Sequence, residues 1–386
     1  MTQFIIFLKP LIDMIWQIKA VTLIMVIMSF VLLFKSLKRV KVDFINIIVF
    51  WLMFQSVVSL LNNLSNNNMI AFIKVFSNLI MILIGRDNYE KNKEISNLLC
   101  KSFVLVLITN VIIIALGKGQ IQWGNSLTLK GIYYFKTDFA LAIMQIFIFF
   151  RYIPDKYKFI RRIIMYFICP VLILLSNARV YLIVIIIELA CSYVEYLETN
   201  NKINKFKIDI KTIAIGVIFV YSGILMVSEL GKTELFKSLN LISFDMNAKD
   251  GGLMSESNTQ GRDVIWEGIL NGISNEPVIN KVLGIDYVSD KTMNDKFADS
   301  HNTYLKILFS FGYLGCILFG ILIFVSMMYV NREENKKLKF TYIMLLVSYI
   351  VSGISYSSIV FTQQSWIFFL YLGMIVRYKN ENNGGS

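Results

Sequence analysis

The chain has 386 residues, of which 56% are hydrophobic and 17% charged, and its mean hydropathy is +0.61. Soluble domains carry about 25% charged residues, so this composition excludes a soluble globular enzyme. The net charge of +12 does not indicate a nucleic-acid partner, because basic residues in a membrane protein usually mark cytoplasmic loops.

Apolar blocks alternate with short basic stretches along the chain, which is typical of a helical membrane protein. We expect an all-α polytopic fold with about eleven transmembrane helices, within a range of ten to twelve. The segment 4–16 is short and interrupted by Lys9, Pro10 and Asp13, which predicts an interfacial helix rather than a twelfth span. The eleven predicted spans are 20–34, 44–61, 69–84, 98–116, 139–153, 163–176, 180–195, 212–228, 302–329, 340–357 and 364–376.

Lysine and arginine are distributed unevenly between the two sides of these spans. The side that holds the C-terminal tail carries 22 of them, whereas the short loops on the other side carry 4. The positive-inside rule therefore predicts a cytoplasmic C-terminus. The Ile, Lys and Asn bias suggests an AT-rich bacterial source, so the expected location is the bacterial cytoplasmic membrane.

One long loop, residues 229–300, separates the first eight spans, within residues 1–228, from the last three spans and the tail, within residues 301–386. The loop holds 7 basic and 12 acidic residues, and the topology places it on the external side. Its apolar positions between residues 265 and 273 have helical spacing. We therefore expect short helices in the loop that lie over the bundle.

Arg179 and Arg262 are two cations that the predicted topology places at the external membrane surface. A charge at the centre of a transmembrane helix costs about 2.5 to 3.5 kcal/mol, so such residues persist with a partner or a role. Arg179 closes a tight turn that contains Ser176, where it can also extend to lipid headgroups. Arg262 begins a predicted loop helix, where the helix dipole disfavours a cation, although a salt bridge to Asp263 or Glu267 also explains it.

His301 is the single histidine of the chain and precedes a long apolar block. Ser300 is a good N-cap, which predicts that His301 lies in the first turn of that helix, at the external surface. The helix dipole there favours a neutral ring that can accept a proton, and free backbone N–H groups can receive an anion. The alternative is a histidine that serves only in packing. One histidine and four isolated cysteines give no metal-ligand spacing, so we expect neither a metal nor another cofactor.

These residues lie in short motifs that resemble those of a known family. Asp299 to Leu305, with Phe311-Gly312-Tyr313-Leu314-Gly315 after it, resembles the "HN-x-Y-L … G-x-x-G" signature of the bacterial O-antigen ligase and O-antigen or capsular polysaccharide polymerase superfamily. Gly261-Arg262 with Trp266 resembles the family's "GR-x-x-x-W". Ser176 to Arg179 resembles its "S-x-x-R", although Asn177-Ala178 replaces the usual small or polar residues. The segment 131–138 resembles a weaker element, and the whole resemblance covers residues 130 to 330.

The resemblance implies a fold similar to the type-C glycosyltransferases and an inverting, metal-independent transfer of glycan at the outer face of the membrane. It implies that Arg179 and Arg262 bind the diphosphate of the donor and that His301 is the catalytic base. The partners implied are an undecaprenyl-diphosphate-linked oligosaccharide, the lipid bilayer, and a chain-length regulator and flippase of the same pathway. Further site residues implied are Lys136, Asn302 and Tyr304.

Two alternatives to a polymerase stay open at this point. An O-antigen ligase shares the same motifs and differs mainly in its acceptor, so only the AT-rich composition favours the polymerase. A lipid-linked glycan transporter or flippase belongs to a different class. A flippase should carry charges along an inner cavity, whereas the clearest intramembrane charges here are Lys74, Lys101, Glu188 and Lys306.

Overall fold

A computed structural model of the protein shows, among the residues that it describes, a helical bundle with one short β-hairpin. The structure describes residues 2–15, 24, 27–28, 30–34, 41–123, 126–199, 262–294 and 299–377. The hairpin pairs β1 (Gln120–Trp123) antiparallel with β2 (Ser126–Leu129), and it was not predicted from the sequence. The longer helices are α1 (Thr2–Met14), α2 (Phe44–Asn62), α3 (Asn66–Asp87), α4 (Asn92–Ala115), α5 (Lys136–Phe149), α6 (Lys158–Ile163), α7 (Cys169–Ser176), α8 (Arg179–Thr199), α9 (Arg262–Asn275), α10 (Val278–Leu283), α11 (Thr303–Arg332), α12 (Lys336–Ser352) and α13 (Thr362–Ile375).

Six helical segments among the described residues are long and apolar enough to cross a membrane. They are α2, α3, α4 with its preceding turn, the continuous α6–α7 segment, α8 and α11. The prediction of a mainly helical membrane protein is confirmed in this coarse form. The predicted count of eleven spans is not confirmed. The predicted spans 139–153, 340–357 and 364–376 coincide with helices of only 14, 17 and 14 residues. The predicted span 212–228 lies outside the described residues, and 20–34 is described only in part.

The three short helices α5, α12 and α13 form the centre of the bundle. Every residue of α13 is buried, as are nearly all those of α5 and most of α12. Polar side chains join these helices: Gln364 Nε2 donates to Ser352 Oγ at 2.9 Å, and Gln145 Nε2 donates to the backbone carbonyl of Gln363 at 2.9 Å. Such bonds hold apolar helices together where water is absent.

Two glycines let α3 and α13 approach backbone to backbone. A Cβ atom at Gly85 would overlap the carbonyl of Leu370, and one at Gly373 would overlap the carbonyl of Ile82. Small residues at helix contacts are the usual means of close packing inside a membrane. The contact places the fully buried helix α13 against α3, one of the six apolar segments.

The helix α1, which was predicted to be interfacial, packs against the bundle. It packs along α4, with Ile5 and Ile6 buried in the main core, and Gln3 Nε2 donates to Glu94. The residues that appeared to interrupt it are buried as well, because Lys9 forms an ion pair with Asp13 inside the bundle. Paired charges can remain in an apolar interior, which the sequence pattern does not reveal.

The long helix α11 breaks at Gly312, whose φ of 65° is non-helical. The break frees carbonyl groups that other segments then bind. Ile285 N–H donates to the Phe309 carbonyl at 2.8 Å, Gln55 Nε2 donates to the Phe311 carbonyl at 3.0 Å, and a hydroxyl of α2 donates to the Ser310 carbonyl. Only glycine adopts this conformation readily. The break in the helix therefore explains why the first residue of the "G-x-x-G" motif, Gly312, is a glycine.

Candidate functional site

The loop helix α9 lies against the first half of α11. Its buried face, Ile265, Ile269 and Ile273, forms a separate apolar cluster with Phe309. The predicted loop helix is therefore present, and it begins at Arg262 as expected. This packing fixes the arginine at the end of α11 where the histidine motif lies.

Trp266 connects α9 directly to the histidine motif. Its indole Nε1–H donates a hydrogen bond to the carbonyl of Ser300 at 2.8 Å, one residue before His301. Arg262 is one turn away on the same helix and is half-buried. Its charge lies near enough to His301 to lower the pKa of the imidazole. The two predicted motifs thus meet in one place.

His301 lies just outside the helix rather than in its first turn. Its backbone has a φ of 45°, a left-handed conformation that is uncommon for a residue other than glycine. The N-cap is Asn302, whose Oδ1 accepts from Tyr304 N–H at 2.9 Å and from Leu305 N–H at 3.0 Å. The predicted Ser300 cap is therefore wrong. The partly exposed His301 lies in a strained turn, a type of backbone that clusters at functional sites.

A loop after α12 holds this turn in position. Thr303 N–H donates to the Gly353 carbonyl at 2.7 Å, and Thr303 Oγ1 donates to the Tyr356 carbonyl at 2.6 Å. Asn302 Nδ2 donates to the Ile354 carbonyl at 3.2 Å. The sequence prediction missed this loop because it extended a span to residue 357. The only local signal was the serine-rich run from 352 to 358.

A buried ion cluster lies beneath the histidine turn. Lys306 Nζ contacts Asp290 Oδ2 and Asp299 Oδ1, each at 2.9 Å. Ser300 N–H also donates to Asp290 Oδ2, at 3.1 Å. Burial alone would raise the pKa of Asp299, but the Lys306 charge and hydrogen bonds outweigh it and lower the pKa to about 2. Asp299 is therefore ionised at neutral pH, next to His301.

Partial burial is the main cause that lowers the pKa of His301 below its ordinary value. The Asp299 carboxylate opposes this shift, while the cations Arg262, Lys306 and Lys291 add to it. A histidine with a lowered pKa is neutral at physiological pH, and a neutral imidazole can accept a proton. The site therefore combines a neutral base with nearby positive charge.

The second group of predicted residues lies at the start of α5 and α8. Lys136 Nζ donates to the Asn177 carbonyl at 3.3 Å, so the lysine joins the turn of the "S-x-x-R" motif. Asn177 has a left-handed φ of 50°, and α8 begins at Arg179. The Arg179 side chain lies outside what the structure describes. Tyr304, a predicted site residue of the histidine motif, does not belong to this second group, and its hydroxyl donates to the Ile350 carbonyl at 2.6 Å.

Asp138 links the two groups and was not predicted. Tyr356 Oη–H donates to Asp138 Oδ1 at 3.1 Å, and the Tyr356 carbonyl accepts from Thr303. Asp138 is on α5, two residues after Lys136, while Thr303 lies within the histidine motif, two residues after His301. One tyrosine therefore connects the lysine-bearing helix to the turn that carries His301.

Comparison of the chain with known protein families and with curated proteins found no match. Among the described residues, no group of three or more His, Cys, Asp or Glu side chains is arranged to hold a metal ion. The interpretation of the site therefore depends on its short motifs and on the geometry that joins them.

Proposed function

We propose that this chain is a polysaccharide polymerase of the bacterial cytoplasmic membrane. Its substrate would be an oligosaccharide repeat unit on undecaprenyl diphosphate, and its product a longer O-antigen, capsule or exopolysaccharide chain on the same lipid. The C-terminus is cytoplasmic in this proposal and the site faces outward, as the bias of basic residues favours. The motif resemblance gives the reaction class, and the arrangement around His301 supports it.

The reaction proposed is an inverting glycosyl transfer. His301 takes the proton of an acceptor hydroxyl, whose oxygen attacks the anomeric carbon while the bond to the diphosphate breaks. The leaving diphosphate keeps the bonding electrons and needs cations to stabilise its charge. Arg262 suits this role, since a planar guanidinium binds two phosphate oxygens at once. Arg179 is proposed for the same role, and Lys136 as a further cation of the site.

The observation that carries the proposal is the hydrogen bond from Trp266 to the carbonyl of Ser300. If Arg262 and His301 each had only a structural role, nothing would require the two residues to be adjacent. Their adjacency supplies both elements that the reaction needs, a neutral base and a neighbouring cation. Asn302 and Tyr304 contribute indirectly in this scheme, because their side chains cap α11 and bond to α12.

The two alternatives differ in what supports them. A ligase would use the same site with another acceptor, so the geometry favours neither enzyme. A flippase would need uncompensated charges in a pathway, but ion pairs neutralise most of the buried charges in the described bundle. Examples are Arg151 with Glu195, Lys339 with Glu198, and Lys306 with its two carboxylates.

Deletion of the gene, followed by analysis of lipid-linked glycans, tests the proposal. A polymerase deletion should accumulate single repeat units on the lipid, and a ligase deletion should accumulate long lipid-linked chains. A flippase deletion should trap units on the cytoplasmic side. Purified protein should also lengthen lipid-linked repeat units in the presence of chelator. Long chains in the deletion strain would reject the polymerase.

A further inference from the structure

The apolar segment Asp155–Ser176 is the most open of the six segments found among the described residues. Only 22% of its most apolar window is buried, the lowest share of the six. The segment begins with a short turn and then α6, in which five of the six residues are exposed and Arg161 is half-buried. A helix end with this exposure in a membrane protein lies at the headgroup region of the bilayer.

Lys158 and Arg162 are two exposed cations of α6. Their spacing of four residues places the two side chains on the same face, one helical turn apart. Lys156 is exposed just before the helix, and its ammonium lies 4.8 Å from the ring centre of Tyr157. Lysine and arginine are the side chains that bind phosphate oxygens. This turn of the helix therefore offers a compact positive surface to a phosphate.

Large apolar side chains are exposed on the same segment, next to these cations. Phe159 is 76% exposed, and Ile163 follows it four residues later at 39%. Tyr166 and Phe167 lie in the π turn Ile164–Ile168 and are 49% and 66% exposed. The exposed apolar surface thus continues from the cationic turn into the membrane-spanning part. A ligand that fits both regions has an anionic head and an apolar tail.

The exposure of Lys158 and Arg162 goes beyond the positive-inside rule, because that rule concerns the number of basic residues on one side and not their contacts. Arg161, in α6 itself, donates to the Ile153 carbonyl at 3.0 Å. Other basic residues on the same predicted side bind carboxylates of the protein: Arg151 contacts Glu195, Lys339 contacts Glu198, and Arg377 contacts Glu333. Lys158 and Arg162 instead lie beside exposed rings, where a molecule from outside the chain can reach them.

We propose that α6 and the π turn after it bind an anionic phospholipid of the surrounding leaflet, represented by phosphatidylglycerol. Its phosphate lies between Lys158 and Arg162, and one acyl chain lies along Phe159 and Ile163. Basic residues next to a membrane span attract anionic lipids, and each one near the surface strengthens the binding. One phospholipid supplies both the charge and the tail that this surface fits. The site is independent of the proposed polymerase activity.

The lipid-linked donor of the proposed function also has an anionic head and an apolar tail, but its site lies at the other end of this segment. Asn177 directly follows Ser176, and its carbonyl accepts from Lys136 of the candidate functional site. The 22 residues of the segment separate that turn from its basic end by roughly 30 Å, at 1.5 Å per helical residue. A phospholipid of the nearer leaflet is therefore the better occupant of α6.

Native mass spectrometry of the full-length protein in detergent tests the proposal, with phosphatidylglycerol and phosphatidylcholine of the same acyl chains as probes. We expect phosphatidylglycerol to bind with a Kd roughly tenfold lower than that of phosphatidylcholine. The double variant Lys158→Gln with Arg162→Gln should raise the Kd for phosphatidylglycerol roughly tenfold or more, because two cations beside the headgroup are lost. Lys158→Arg with Arg162→Lys keeps both charges and should bind as the wild type does.

The matched control is Lys91→Gln with Lys93→Gln, which removes two exposed positive charges on the same predicted side. It should bind phosphatidylglycerol as the wild type does. Equal Kd values for the two lipids in the wild type would overturn the proposal, as would unchanged phosphatidylglycerol binding in the Lys158 and Arg162 double variant. Displacement of the lipid by glycerol 3-phosphate would overturn it in favour of a site for free phosphate. Tighter binding of undecaprenyl phosphate at these two residues would overturn it in favour of the donor lipid.

Discussion

The indole Nε1–H of Trp266 donates a hydrogen bond to the backbone carbonyl of Ser300 at 2.8 Å. The two residues are 34 positions apart and belong to separate elements, the loop helix α9 and the turn before α11. Trp266 also packs beside the apolar cluster around Ile269 and Phe309, so packing and the hydrogen bond together hold its ring in place. This pair holds Arg262 and His301 on the same surface.

Trp266→Phe should keep the aromatic packing but remove the hydrogen bond to Ser300. A neutral hydrogen bond contributes about 1 kcal/mol, so we expect chain elongation to slow about five- to tenfold with little change in melting temperature. The measurement is the rate of glycan lengthening by purified protein. Trp51→Phe, at a tryptophan that is 42% exposed on α2, is the control and should be silent. An equal effect of both changes would exclude the positioning role.

Arg262→Lys should keep the positive charge yet lose most of the activity, because lysine cannot reproduce the planar two-point contact with a diphosphate. Loss of one charge-assisted hydrogen bond, about 1.5 to 3 kcal/mol, corresponds to a rate lower by about 10- to 100-fold. Arg179→Lys should behave in the same way. Arg161→Lys, which alters an arginine paired with the exposed Asp155, should have no effect. Full activity of Arg262→Lys would reduce that residue to a surface role.

Lys306→Met should destabilise the protein, because it leaves Asp290 and Asp299 without their shared cation. Removal of one partner from a buried ion pair costs about 3 to 5 kcal/mol. Thermal unfolding in detergent should show a clearly lower melting temperature. The double variant Lys306→Met with Asp290→Asn should recover part of the loss, since one carboxylate charge is then removed. A single variant that melts as the wild type does would contradict the cluster's structural role.

The sequence was sufficient to predict the class of fold and the positions of most of the helices. Apolar runs of the right length predicted α2, α3, α4 and α11, because lipid imposes a simple rule on composition. The rule was less accurate for α12 and α13, which are short and buried on all sides. A helix that faces only other helices has an apolar run like that of a span, but its length need not match the membrane.

The candidate site could be predicted only where its residues share a local motif. Asn302 rather than Ser300 caps α11, and either residue type suits a cap. The choice depends on the distant Gly353, whose carbonyl accepts from Thr303. The bond between Asp138 and Tyr356 spans 218 positions, and nothing in either local sequence indicates the other. Such contacts are set by how helices pack, which spacing along the chain does not specify.

His301→Ala should abolish chain elongation while the protein stays folded, because the residue lies outside the helix and is only partly buried. Loss of a general base typically lowers a rate by 10² to 10⁴. His301→Gln separates this role from a structural one, since glutamine keeps hydrogen-bonding capacity without useful basicity. Both variants should be inactive by the same lengthening assay. Long chains made at the wild-type rate by His301→Gln would remove the histidine from the mechanism.

The pH dependence should identify His301 as the group that titrates. Burial and the neighbouring cations lower its pKa, so the ring is neutral at pH 7, and the rate should fall as the pH drops through that lowered pKa. Lys291 is one of these cations, and Lys291→Gln removes its charge. A lost positive neighbour makes protonation easier, which raises the pKa of His301 and should move the acid limb of the rate profile to higher pH. Lys291→Arg keeps the charge and should leave the limb in place. An acid limb that is identical in all three proteins would mean that another group controls the rate.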